Sequence, residues 1–256
     1  MPLIGPDNEL HIAFVLFITG FIASSFGSLV GGAAFITIPV MTALGFPLTA
    51  AISSNAFSNI GLNLGGFNRL RKNKLVHYKT GIFLSVCAFI GSLIGSHVLI
   101  LTPAFYVKGV FIIALLSMLL FTLLRPHLGM NVRVVQTISK KNLLIVGIGA
   151  IALGAYSGFL GAGVGTLYTY GLTIFFGQSF LQSTATKKIP GLVQAFGAWL
   201  TFSLNNKMVY SAAIPLLIGM YLGSEIGVYF GIKWGNKFIK ILLLMIVTVL
   251  IIKFLY

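Results

Sequence analysis

Gly45-Phe-Pro-Leu-Thr-Ala-Ala-Ile-Ser-Ser-Asn55 and Gly177-Gln-Ser-Phe-Leu-Gln-Ser-Thr-Ala-Thr-Lys187 lie 132 residues apart. Each follows a glycine-rich break in an apolar run. Each sets hydroxyl groups, and then an asparagine or a lysine, where hydrocarbon side chains are expected. In so apolar a chain, two such clusters need a reason. The spacing and content make them two halves of one buried site for a small anion.

The rest of the chain explains why "buried" here means buried in a membrane. Apolar residues make up 57% of the sequence and charged residues 8%, with mean hydropathy +1.02. Soluble domains carry roughly 25% charged residues. Several apolar runs approach or exceed the ~20 residues of a spanning helix, and the alternating short strands of a membrane barrel are absent. The fold class is therefore all-α, a polytopic transmembrane helical bundle of about eight to ten segments. The net charge of +14 sits in short loops between apolar runs, which is how topology is encoded, so no nucleic acid is expected. The single cysteine, Cys87, reads as a small buried residue, and no metal motif is present. Asp7 and Glu9 precede the first apolar run where a cleavable signal would be basic, so that run is expected to stay as a helix.

In chain order, an apolar run over about 10–30 ends in Gly27-Ser-Leu-Val-Gly31-Gly32. A short run over 33–44 contains Pro39, and Gly45-Phe-Pro47 is a turn. A helix over about 49–67 stacks Asn55, Asn59 and Asn63 on one face at i, i+4, i+8, beside Ser54 and Ser58. A basic loop over 68–79 follows, then helices over 79–101 and 104–124, and a second basic loop over 125–142. The apolar stretch 143–176 is broken by Gly154, Gly158, Gly161, Gly163 and Gly165. Helices are expected over 180–203, 209–231 and 236–256, with turns at Asn205-Asn206-Lys207 and 231–240.

The halves match. Gly27…Gly32 pairs with Gly158…Gly163 at an offset of 131, Gly45 with Gly177 and Gly91…Gly95 with Gly223…Gly227 at 132, and Lys74-Leu-Val with Lys207-Met-Val at 133. This predicts two transmembrane repeats, residues 1–130 and 140–256. Placing the loops 68–79, 125–142 and 231–240 inside makes twelve of the 17 Lys and Arg cytoplasmic, as the positive-inside tendency asks. Each half then crosses an odd number of times, the repeats are inverted with broken or short helices, and both termini lie outside an inner (cell) membrane.

The candidate binding residues follow from this pairing. The glycine breaks, Gly31 and Gly32 with Gly161 and Gly163, free helix N-termini whose N–H groups and dipole attract anions. Ser53, Ser54, Asn55 and Asn59 from one half would meet Thr184, Thr186 and Lys187 from the other. Lys187 occupies the repeat position of Asn55, and an intramembrane lysine is costly unless it faces water or a counter-charge. Lys188 reads as a topology charge at a helix edge. Glu225, the third of three acidic residues, is a coupling candidate that would carry a proton or pair with Lys187. Gln182, Gln194 and His97 are weaker polar candidates. No hydrolase or nucleotide-binding constellation is present, so no enzyme, no cofactor and no catalytic residue are expected.

Gly31-Gly32-Ala-Ala-Phe-Ile-Thr-Ile-Pro39, Gly45-Phe-Pro47 and Ala51-Ile-Ser53-Ser54, with the second copy Gly158-Phe-Leu-Gly161-Ala-Gly163-Val-Gly165 and Ala185-Thr186-Lys187, carry a resemblance to the TauE/SafE sulfite exporter family, also called the toluene sulfonate uptake permease family. The Gly-x-x-x-Gly segments at 91–95 and 223–227 fit it too. Ala33-Ala34 and His77-Tyr78 depart from the usual pattern. The resemblance implies a secondary transporter of a sulfur oxyanion or organosulfonate such as sulfite, sulfoacetate or thiosulfate. Its partners would be that small anion, the lipid bilayer and a coupling proton or ion, with a homo-oligomer compatible. The alternatives are an anion channel and a non-transporting membrane subunit that binds a partner through its basic loops.

Overall fold

The computed structural model describes residues 6–113 and 140–255, with the side chains of 6–8, 30, 140–142 and 235–255 left aside. The described residues are helical, without strands. The first half holds α1 (Pro6–Val30), α2 (Ala34–Ala43), α3 (Leu48–Lys72) and α4 (Tyr78–Leu101), then α5 (Ala104–Ile113). The second holds α6 (Lys140–Phe159), α7 (Val164–Phe176), α8 (Phe180–Thr186), α9 (Lys188–Leu204) and α10 (Tyr210–Leu255). The rest of the expected 104–124 helix and most of the second basic loop lie outside the described residues.

Among the described residues, three helices are long and apolar enough to cross a membrane: Glu9–Leu29 within α1, α4, and Tyr210–Trp234 within α10. Each turns large side chains outward every fourth residue. α1 exposes Phe14, Ile18, Ile22 and Phe26; α4 exposes Ile82, Val86, Ile90, Ile94 and Val98; α10 exposes Ile214, Ile218, Leu222 and Ile226. Their inner faces are rich in glycine, alanine and serine, with a few larger side chains such as Leu16, Leu84 and Leu216 between them. That distribution suits lipid outside and close helix packing inside. α3 is too rich in Asn, Ser and Gly to face lipid, and its polar face is buried against its neighbours.

Glycine sets the directions of the helices. Added Cβ atoms at Gly91 and Gly95 of α4 would strike the carbonyls of Ile151 and Ala155 in α6, and those at Gly154 and Gly158 would strike Ala88 and Ser92. Residue numbers rise together, so α4 and α6 are parallel. α9 joins them in the same direction, with Gly81 against Ile189 and Gly197 against Ser92. Likewise α10 runs parallel to α1, with Gly219, Gly223 and Gly227 on Phe17, Phe21 and Ser25, and parallel to α3, with Gly61 and Gly65 on Leu217 and Tyr221. The two triplets, α1–α3–α10 and α4–α6–α9, meet where α3 crosses α9. There Gly191 lies on Asn63 and Gly66 on Lys188, an antiparallel register. Helices 131–132 residues apart therefore run in opposite directions. Left-handed backbone recurs at the same offset: Gly45 (φ +89°) with Gly177 (φ +63°), and Lys74 (φ 54°) with Asn206 (φ 53°). The last pair places the register of this turn at 132, one residue from the Lys74–Lys207 match.

Four expectations are corrected. The first basic loop is mostly helix, since α3 carries Arg69, Arg71 and Lys72 in its last turn, where cations complement the dipole. Gly154 and Gly158 do not break the chain; they lie inside α6 as close-packing residues. The expected helix over 180–203 breaks at Lys187, because Pro190 lacks the N–H that would bond the carbonyl of residue 186. Finally, α10 runs on through 231–240, so the turn that would return the last segment to the outside is not there. The first half does break at the equivalent place, where Pro103 stands opposite Gly235. α2 and α7, with 10 and 13 residues, reach about 15 and 20 Å at 1.5 Å per residue. Neither spans a ~30 Å hydrocarbon core alone.

Gly95→Val should overpack the α4–α6 contact and lower the thermal midpoint of the detergent-purified protein by about 5–10 °C. Gly149→Ala, at a position with nothing within 4 Å of the added Cβ, should leave the midpoint unchanged or raise it slightly.

Candidate functional site

The two glycine breaks meet. Gly31 (φ +92°) and Gly32 (φ +93°) end α1, while Gly161 (φ +73°) and Gly163 (φ +77°) end α6. Gly31 lies against the backbone of Gly165 and Thr166, a closeness that a side chain would prevent. α2 and α7 start here. Neither has a side-chain cap or an acidic residue in its first turn. α8, by contrast, has a complete capping box from Ser179 and Gln182. The N-termini of α2 and α7 border a cavity; α3, α4 and α9 also lack a side-chain cap.

That cavity encloses about 60 Å³. Its lining draws on the middle of α3 (Asn55, Asn59, Asn63), both breaks (Gly31, Gly32, Gly161, Gly165) and the α8–α9 joint (Lys187, Lys188). Ser28, Ser157, Tyr168 and Gln194 complete its polar wall. No Asp or Glu lines it.

Hydrogen bonds orient the amides. Thr37 Oγ1 donates to Asn55 Oδ1 at 2.7 Å, which leaves the Asn55 NH₂ for the cavity. Tyr168 donates through its OH to Gln194 Oε1 at 3.2 Å, which leaves the Gln194 NH₂. Thr37 and Tyr168 are 131 residues apart, so each short helix holds down an amide carbonyl on the long helix that follows. The hydroxyl of Ser28 is buried without a partner among the described residues. A Lys ammonium only donates, and an amide whose carbonyl is engaged offers N–H. The wall therefore carries several donors, with the carbonyl of Asn63, whose NH₂ donates to Asn59 O at 2.7 Å, as an acceptor beside them.

Lys187 is 5% exposed and Lys188 1%. Nζ of Lys187 donates to the carbonyls of Leu29 and Gly165, both at 3.1 Å, and to Thr169 Oγ1 at 2.9 Å. Nζ of Lys188 reaches Leu62 O at 3.4 Å.

The expected residues divide. Gly31, Gly32, Gly161, Asn55, Asn59 and Lys187 line the cavity; Gly163, Ser53, Ser54, Thr184 and Thr186 do not. Gly163 is the left-handed N-cap of α7. Ser53 donates to Lys207 O at 2.7 Å. Ser54 Oγ is buried without a partner among the described residues. Thr184 donates to Leu29 O at 3.2 Å, and Thr186 accepts from the His77 N–H at 3.2 Å. Glu225 faces Arg69 at 3.5 Å, not Lys187, and both side chains are over one-third exposed. Gln182 serves the α8 cap, and His97 lies on the exposed face of α4. Lys188 is the main residue that sequence reasoning misplaced. It begins α9 and is one of the largest fully buried side chains among the described residues. Ser28 was missed as well. Its place between Gly27 and Gly31 was the available signal.

An α-helical membrane fold, broken helices and a donor-lined internal cavity define a protein of the membrane transporter class. The family described as Sulfite exporter TauE/SafE matches residues 16–254, and the chain belongs to that family. It is 26% identical over 242 residues to "Probable membrane transporter protein YfcA" of Escherichia coli strain K12, covering 94% of this chain and 89% of that one. It is 24% identical over 253 residues to "Probable membrane transporter protein ORF9" of Sinorhizobium sp, covering 97% and 94%. A third relative, "Probable membrane transporter protein YdhB" of Bacillus subtilis strain 168, is 25% identical over 245 residues, covering 91% and 92%. No solved structure matches the chain significantly.

Tyr168→Phe removes the hydroxyl that holds Gln194, so its carbonyl can turn into the cavity. We expect anion affinity to fall about five- to tenfold, read by titration of the purified protein, with little change in thermal midpoint.

Proposed function

We propose that this protein is a secondary transporter of a small sulfur oxyanion, sulfite or thiosulfate in the first instance. One observation carries the reading: two buried lysines share a donor-lined cavity that no carboxylate borders. Asp7 and Glu9 begin α1, and Glu225 faces Arg69, so the chain's three acids leave this charge without a partner. An oxyanion supplies both the counter-charge and the missing acceptors. Gly31, Gly32, Gly161, Asn55 and Asn59 would contact it, beneath the N-termini of α2 and α7. A water needs roughly 10–15 Å³, so the cavity has room for about four or five heavy atoms. That suits an inorganic oxyanion better than an organosulfonate with a carbon chain.

The two halves act as inverted repeats in this reading. Glycine–carbonyl contacts hold the α1–α3–α10 triplet and the α4–α6 pair internally, while side chains around the cavity join one triplet to the other. Rocking of the triplets against each other would open the cavity to alternate sides. The end of the bundle with Arg69, Arg71, Lys72, Lys74 and Lys79 faces the cytoplasm of an inner-membrane protein, and α1 begins outside.

Proteoliposomes holding the purified protein test this. Saturable uptake of ³⁵S-labelled sulfite or thiosulfate, competed by the other and not by chloride, is the expected result. Flux that never saturates would make it a channel, and no flux of any anion would leave a non-transporting membrane subunit.

A further inference from the structure

Lys187 and Lys188 are neighbours in sequence, and both are buried, yet their ammonium groups have opposite surroundings. An ammonium has three protons to donate. Lys187 places all three, on Leu29 O, Gly165 O and Thr169 Oγ1. Its acceptors lie at the end of α1 and in the first two turns of α7, so this one group ties the two glycine breaks together. Lys188 reaches one acceptor, Leu62 O, at 3.4 Å. That carbonyl already takes the Ser224 hydroxyl at 2.6 Å. The Lys188 ammonium rests on Gly66, where an added Cβ would sit 2.7 Å from Nζ. Two of its protons have no acceptor among the described residues.

We propose that the two lysines divide the work: Lys187 is a structural clamp on the glycine breaks, and Lys188 carries the ammonium that meets the anion. The proposal rests on the anion-site reading above. Its physical basis is the difference in satisfaction. A buried cation with unfilled bonds is costly, and a bound oxyanion fills them. A buried cation whose bonds are complete gains little from a ligand and loses its fit if it turns to meet one. Gly66 belongs to the arrangement, because any side chain there displaces the Lys188 ammonium from its resting place.

The two lysines therefore predict changes of opposite sign in the empty protein. Lys188→Met removes an uncompensated charge and keeps the volume, so the anion-free thermal midpoint should rise. Lys187→Met removes the three hydrogen bonds that tie the breaks together, although Leu29 O keeps the Thr184 hydroxyl and Gly165 O the Thr169 hydroxyl, so the midpoint should fall. Full-length protein in detergent is unfolded with and without sulfite or thiosulfate, with chloride as control, and the same anions are titrated for affinity. Lys188→Met should weaken anion binding at least about tenfold. Gly66→Ala keeps both charges and should change affinity about fivefold or more with a near wild-type midpoint. Wild-type affinity in Lys188→Met overturns the proposal. So does a Lys187→Met protein that is as stable as wild type yet binds no anion, since that reverses the roles. A wild type that no oxyanion stabilises sinks the anion-site reading itself; midpoints that still move in opposite directions would then establish the clamp separately.

Discussion

The structure depends on burying two adjacent ammonium groups with no carboxylate to receive them. In hydrocarbon or in a packed interior such groups must find oxygen, and backbone carbonyls are the only plentiful source. Carbonyls inside a regular helix are already bonded, whereas the last four at its C-terminal end are free, as Leu29 O is at the end of α1; Gly165 O, in the first turn of α7, is shared with the Thr169 hydroxyl. Lys187 therefore needs helix ends close by, and the chain provides them by breaking at Gly31–Gly32 and at Gly161–Gly163. The breaks must also approach each other closely, so Gly31 has no room for a side chain beside Thr166. One lysine, four left-handed glycines and two short helices form a single arrangement.

A second constraint holds the frame around it. Lipid gives apolar side chains no reason to turn inward, so helix association relies on close backbone contact. Gly91 and Gly95 of α4, Gly154 and Gly158 of α6, and Gly219, Gly223 and Gly227 of α10 supply it, each lying over a carbonyl of its neighbour. These contacts fall within the two parallel triplets. Between the triplets the contact is of another kind: Asn63 on Gly191 and Lys188 on Gly66, side chain against glycine. Close-packed backbone resists deformation, while side-chain contacts around a cavity can be exchanged. The α1–α3–α10 triplet and the α4–α6 pair are thus held by glycine–carbonyl contacts, while α9 meets both α4 and α3 through side chains on glycine.

Much of this was legible in the sequence. Composition and apolar runs identify an all-α membrane protein, and the breaks at 31–32 and 161–163 are visible as glycine clusters. Asn55, Asn59 and Asn63 share a face by spacing alone, and that face borders the cavity. Other features were not legible, for physical reasons. Ser53, Thr184 and Thr186 look like ligands, but their hydroxyls go to backbone partners on distant elements. Those partners depend on how the helices cross, which no local pattern encodes. Lys188 looked like an edge charge because helix depth cannot be read from distance to a turn when Pro190 resets the helix. The long α10 escaped notice because Gly235 permits a turn without requiring one, whereas Pro103 forces it.

In the same frame the proposed selectivity for anions would arise without symmetry of charge. Asn55 and Lys187 occupy matching positions, as do Thr37 and Tyr168. Both halves orient an amide by holding its carbonyl from the short helix, so both present N–H to the cavity. An amide left free could turn either way and would serve a cation as well as an anion. Held, it cannot. The net positive charge then comes from the second half alone. A cation entering the cavity would meet two ammonium groups and a wall that carries several donors, and it would find no carboxylate. An anion would meet complementary groups from both triplets at once. In the proposed cycle those groups belong to bodies that move against each other, and binding the anion would also join the two bodies across the cavity.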